Sequence, residues 1–135
     1  MTRNTKPLFL LSGIIHAFVA LGAIPVGILF ILKPDGSAVG MPVSILAGSP
    51  FKDFLIPGIA LFFFNGIFHL INAVLSFFKH KNAPLIGVIS GAGLMVWIIV
   101  QVYVIGFNNF LQPLFFFIGC VELIVSFALV KINKN

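Results

Sequence analysis

Charge is what this 135-residue chain has least of: charged residues make up 8%, and only three of them are acidic. A compact soluble globule needs more polar surface than that, and 60% hydrophobic residues with a mean hydropathy of +1.18 make lipid the fitting solvent. Cysteine is nearly absent. A lone Cys120 excludes an intrachain disulfide and a thiolate-rich metal centre, and its position inside an apolar run reads as a small packing residue. The net charge of +5 comes from lysines and an arginine at the chain ends and between apolar runs, where no continuous phosphate-binding face forms. Nucleic acid is therefore excluded as a partner, and the basic residues are left to orient the chain in a bilayer.

What the chain has is apolar runs of spanning length, at about 8–32, 54–78, 85–106 and 111–130, which use up residues 1–135 as a single integral membrane domain. The expected fold is all-α, an antiparallel four-helix transmembrane bundle with a short external lid between helices 1 and 2. Arg3 and Lys6 ahead of Leu8–Val19 resemble the start of a signal peptide. The apolar run continues to Leu32, however, and that is a spanning length rather than a signal core. Gly13, His16, Ala20, Ala23 and Gly27 recur by threes and fours and predict a small-residue seam for a neighbouring helix. Pro25 predicts a kink in the outer half of that helix, and Pro57 a bend in the second. In the connecting segment Lys33–Asp53, Pro42 opens and Gly48 closes a short helix with Met41, Ile45 and Leu46 on its apolar side. Ser49-Pro50 reads as the cap and first residue of the second span, with Asp53 in its opening turns. Asn82-Ala83-Pro84 starts the third span, and Asn108-Asn109 makes the last turn.

The second run carries Asn65, His69 and Asn72. At about 100° per residue, steps of four and seven amount to roughly 40° and −20°, so all three share one narrow face that hydrocarbon cannot satisfy. Partners are sought on other helices: His16 on the first, Glu122 and Ser126 on the fourth. Counted from the expected cytoplasmic ends at about 1.5 Å per residue, His16, His69 and Glu122 fall at similar depth. A carboxylate near mid-membrane is costly, by at least about 2.5 kcal/mol on insertion scales, and such groups are paired or functional. Together these six residues form a candidate buried polar cluster that either relays protons, orients a polar head, or locks helix packing by hydrogen bonds. Two imidazoles and a glutamate are also a donor set for zinc or non-haem iron. With no HExxH or paired ExxH spacing, the sequence alone assigns no metal, no cofactor and no catalytic residue. Trp97, Gln101, Tyr103 and Gln112 lie nearer the opposite face and form a candidate outer cleft below the lid, although tryptophan and tyrosine also serve as interface anchors.

Arg3, Lys6, Lys79, Lys81, Lys131 and Lys134 all fall on one side of a four-span chain, while Lys33 and Lys52 each have an acid nearby on the other. The bias predicts a multi-pass protein of the cell membrane with both termini cytoplasmic. The segments KPDGSAVGMPVSILAGSPFKDFLIPG at Lys33–Gly58, WIIVQVYVIGFNNFLQP at Trp97–Pro113 and GCVE at Gly119–Glu122 resemble a group of small bacterial four-span integral membrane proteins. More distantly, the four-span size is similar to the DoxX-like proteins. The first resemblance implies a bacterial inner-membrane protein and carries no activity. The second implies an association with quinone or thiol redox chemistry, from which a single Cys120 without a CxxC departs. Three function classes follow. The leading one is a non-enzymatic membrane protein that binds a small or lipophilic ligand or supports a membrane complex with a protein partner. The others are a DoxX-like oxidoreductase subunit working with quinone, in which His16, His69 and Glu122 handle protons, and a small-solute transporter assembled as a homo-oligomer.

Overall fold

A computed structural model describes residues 5–107 and 110–133. Arg3, Lys134 and the Asn108-Asn109 turn lie outside the described residues. Four helices are long and apolar enough to cross a membrane: α1, Lys6–Leu32; α2, Leu55–Phe77; α3, Ala83–Ile105; and α4, Leu111–Asn133. Among the described residues there is no strand. Proline sets where α1 and α3 begin, because Pro7 and Pro84 occupy first-turn positions whose N–H groups have no helical partner in any case. Pro25 lies inside α1, which continues through it as one helix.

The connection between α1 and α2 departs from the expected course. Val43–Leu46 after Pro42 forms a single 3₁₀ turn rather than a longer helix, and a second 3₁₀ turn spans Ser37–Val39. Gly36, at φ +78°, turns the chain so that its carbonyl receives the N–H groups of Val39 and Met41; a Cβ there would run into the Met41 carbonyl. The second span does not start at Ser49-Pro50 but at Leu55. Ser49 instead accepts the Phe51 N–H at 3.2 Å, and Asp53 precedes the helix and accepts the Leu55 N–H at 3.0 Å. A longer-range bond decides this: the Phe54 N–H donates to the Pro34 carbonyl at 2.8 Å and ties the end of the loop to its beginning. Phe30, Leu46 and Phe54 then pack as a buried apolar plug over this end of the bundle, with Phe30 and Phe54 stacked at 4.8 Å.

Within α2, residues Leu61–Phe68 are wound as a π-helix between α-helical Leu55–Ala60 and His69–Phe77. Pro57 sits in the first turn, where it costs no hydrogen bond, and the departure from α geometry begins four residues after it. The helix ends on Lys79 at φ +54°, with Lys79 N–H to Ser76 O and His80 N–H to Leu75 O, the paired bonds of a left-handed helix cap. Asn82 precedes α3 but its side chain makes no cap bond; its N–H donates to His80 Nδ1 at 3.0 Å.

Each helix packs on its neighbours in chain order, and α1 also packs on α4, closing the ring. The predicted seam of α1 is buried: Gly13, His16, Ala20, Ala23 and Gly27 all face protein. At the α3–α4 crossing the backbones touch, since a Cβ on Gly91 would lie 2.8 Å from both Gly119 O and Leu123 N. Inside, Phe9, Ala83, Val125 and Leu129 form one apolar layer near the end where α1 begins and α4 ends, and Val19, Leu94 and Ile98 form a second further along. Outside, large apolar side chains such as Leu21, Ile56, Leu85 and Phe117 are exposed on each of the four helices, a surface suited to lipid. The chain is thus built as a small four-helix integral membrane protein.

Candidate functional site

Between those two apolar layers lies a slab of polar side chains. His16 enters from α1, His69 and Asn72 from α2, Glu122 and Ser126 from α4, and each is at most 1% exposed. His16 lies ten residues into α1, His69 eight from the end of α2 and Glu122 eleven from the end of α4. At 1.5 Å per residue all three sit roughly 12–17 Å from the same end of the bundle. In a hydrocarbon core about 30 Å thick that is close to the mid-plane.

The two imidazoles are held in the same way. His16 Nδ1 lies 2.8 Å from the Ser12 carbonyl one turn earlier, and His69 Nδ1 lies 3.2 Å from the Phe64 carbonyl, five residues back in the π-helical segment. A carbonyl can only accept, so both rings donate Nδ1–H and both turn Nε2 inward. His69 Nε2 meets Glu122 Oε1 at 3.1 Å, and His16 Nε2 lies 3.8 Å from Glu122 Oε2. The ring centroids are 5.2 Å apart. The His69–Glu122 contact needs one proton, on the carboxyl or on the ring.

Asn72 adjusts to its neighbours. With its nitrogen toward His16 Nε2, at 3.2 Å, it donates to the ring's lone pair. Turned over, it donates to the Ala83 carbonyl and accepts from the Gly87 N–H, both at 3.3 Å, and sets its oxygen against His16 Nε2. That second arrangement has more partners in α3 but requires positive charge at His16 Nε2, because two lone pairs repel. Three polar groups in the slab or beside it stay unmatched: Glu122 Oε2, Ser126 Oγ and both amide atoms of Asn65. Buried groups of this kind cost about 1–3 kcal/mol each unless something satisfies them.

Of the residues expected to cluster, His16, His69 and Glu122 therefore meet, and Asn72 joins them through His16. Ser126 adjoins them, since a Cβ on Gly87 would touch both Ser126 Oγ and Asn72 Nδ2. Asn65 is buried on the same side of α2, one turn nearer the plug, without a bond to the group. Two members are additional. Ser12 Oγ lies 3.3 Å from His16 Nδ1 and 3.2 Å from Ser76 Oγ, which extends the slab toward the termini. Their signal is spacing: Ser12 precedes His16 by four residues and Ser76 follows Asn72 by four.

The outer group comes together only in part. Gln112 Nε2 donates to Gln101 Oε1 and to the Gly106 carbonyl, both at 3.1 Å, joining α3 to α4. Trp97 packs on the Val19, Leu94 and Ile98 layer. Tyr103 is 89% exposed and faces away from the glutamine pair. Cys120 stays a free thiol in a half-buried position, its Sγ 3.9 Å from Met95 Sδ.

Comparison with protein-family models, with curated proteins and with solved structures finds no match for this chain. The class is set by fold and composition alone: a small helical membrane protein with four candidate spans.

Proposed function

We propose that this protein holds a small ligand in its polar slab, as a resident binding protein of the membrane. Both termini and the Lys79–Lys81 loop would face the cytoplasm, and the plug between α1 and α2 the opposite side. The orientation rests on the distribution of lysine and arginine between the two sides. The binding reading rests on one observation: a fully buried carboxylate oxygen, Glu122 Oε2, left without a hydrogen-bond partner beside the inward nitrogens of two histidines. A helix lock would be complete with paired donors and acceptors. Here the atoms that converge, two Nε2 nitrogens and the two carboxylate oxygens, are all acceptors apart from the one proton that His69 and Glu122 share, and what fits among them is a group that takes electron pairs.

Native mass spectrometry of the chain released from lipid nanodiscs tests this. The wild type should retain a non-protein mass that the Glu122→Gln and His69→Asn variants release. Identical spectra for all three would refute the reading.

A further inference from the structure

Resting on that reading, we infer that the ligand is a first-row divalent transition metal ion, zinc or ferrous iron, bound by His16 Nε2, His69 Nε2 and the Glu122 carboxylate. The three ligand atoms already lie within 4.8 Å of one another, the closest two at 3.1 Å. An ion with bonds of about 2.0–2.2 Å in a tetrahedral arrangement needs its ligand atoms about 3.3–3.5 Å apart. From an edge of 4.8 Å that is a contraction of about 1.3–1.5 Å, with a slight lengthening of the 3.1 Å edge, and side-chain rotation on the three helices has to supply it.

Three further features of the site match metal chemistry. The Nδ1–H groups of both histidines donate to backbone carbonyls, which fixes the tautomer that presents Nε2 as a lone pair and aims the rings. Glu122 Oε2 has no competing hydrogen bond to give up. Asn72, the one group that engages His16 Nε2, has a ready alternative on the α3 backbone, and that alternative requires a positive centre at Nε2. A cation takes the place of the proton shared by His69 and Glu122.

The donor set also selects among metals. Two nitrogens and one carboxylate suit zinc and ferrous iron, whereas calcium and magnesium require more oxygens, and cuprous ion favours sulfur. The only sulfur pair described, Cys120 and Met95, is not part of this group. Three protein ligands leave at least one coordination position open, the arrangement of a reactive rather than a purely structural centre.

The test uses the full chain in detergent, stripped with chelator and titrated with cobalt(II) and zinc(II). Elemental analysis should find about one ion per chain. Cobalt should give the intense visible bands of a tetrahedral nitrogen and oxygen site. Glu122→Gln and His69→Asn should weaken binding by more than about 100-fold, since changes in the partners of metal ligands alone cost 10–100-fold. His80→Asn, in the α2–α3 turn, should leave it unchanged. X-ray absorption of the zinc-loaded wild type reads the ligands without any variant having to fold: imidazole and oxygen scattering supports the site, while a sulfur shell or oxygen alone overturns it. Wild type that takes up no more ion than Glu122→Gln or His69→Asn overturns the inference. If it then retains an organic mass that Glu122→Gln releases, the binding reading survives; if it retains neither ion nor molecule, both fall.

Discussion

Replacing Glu122 by alanine and by glutamine should give clearly different stabilities, because the histidine orientations dictate what their partner must be. Each ring spends Nδ1–H on a carbonyl, so Nε2 of His69 needs a donor or a positive charge opposite it. The amide of Glu122→Gln supplies a donor in the same place and should cost less than about 1 kcal/mol. Glu122→Ala removes the partner altogether, leaving a buried nitrogen unmatched for about 1–3 kcal/mol, the lower end applying if the unfolded chain finds other partners in lipid. It also opens a cavity of roughly 50 Å³, worth about 1.2 kcal/mol at 24 cal/mol per Å³. The alanine variant should thus fall by about 2–4 kcal/mol. Reversible unfolding in mixed micelles, followed by far-ultraviolet circular dichroism in the presence of chelator, measures both. With zinc at about 100 times its dissociation constant, the wild type should gain about 2.7 kcal/mol and neither variant should. A glutamine variant as unstable as the alanine one in chelator would refute the assigned ring orientations.

Three other outcomes follow from the fold. Gly91→Ala should destabilise by about 1–3 kcal/mol, because its methyl meets the backbone of α4; Gly22→Ala, whose methyl would meet only the Phe115 ring at 4.0 Å, should be neutral or gain up to about 1 kcal/mol. The same unfolding assay compares them, and equal losses would contradict the described crossing. Lys79→Gly should stabilise by about 0.5–1 kcal/mol by relieving a left-handed backbone at the end of α2, and a loss would mean that the Lys79 side chain matters more than its backbone angle. In the plug, the Ser37 hydroxyl and then the Ser37 N–H hold the exposed Asp35 carboxyl below its usual value of 3.8. Since the folded value is the lower one, the contribution of this turn is present above about pH 4 and is lost as pH falls through that lower value. Carbon-13 titration of the Asp35 carboxyl should show a midpoint below 3.8, and a midpoint at or above it would remove the turn from the account.

The four spans are legible because run length and composition suffice to specify a membrane helix, and the short turns after Phe77 and Ile105 force antiparallel neighbours. The placement of His16, His69 and Glu122 in one slab follows from those two facts. Legibility failed where a distant contact outweighed a local signal. Ser49-Pro50 is a good helix start by itself, but Phe54 bonding to Pro34 moves the start to Leu55. The π-helical winding of Leu61–Phe68 leaves no trace in hydrophobic periodicity, although it brings the Phe64 carbonyl within reach of His69. Tyr103 is close to Gln101 in sequence, yet two residues along a helix turn about 200°, and the side chain lies on the opposite face.

How the chain uses its few ionisable groups bears on which function class fits. Of its three acids, Asp35 and Asp53 cap turns in the loop between α1 and α2, each receiving a backbone N–H. Of its three histidines, His80 accepts a backbone N–H in the turn before α3. The remaining acid and both remaining histidines meet at one point near mid-membrane, aligned by backbone carbonyls and flanked by apolar layers on either side. A conduction path would need hydrogen-bonded polar groups continuing past those layers, whereas Ser12 and Ser76 extend the slab only toward Phe9 and Leu129, and Asn65, one turn nearer the plug, has no bond to carry it on. Enclosure of that kind raises the cost of an unmatched charge and equally strengthens the hold on a matched one, which favours a ligand that resides in the bundle over one that passes through it.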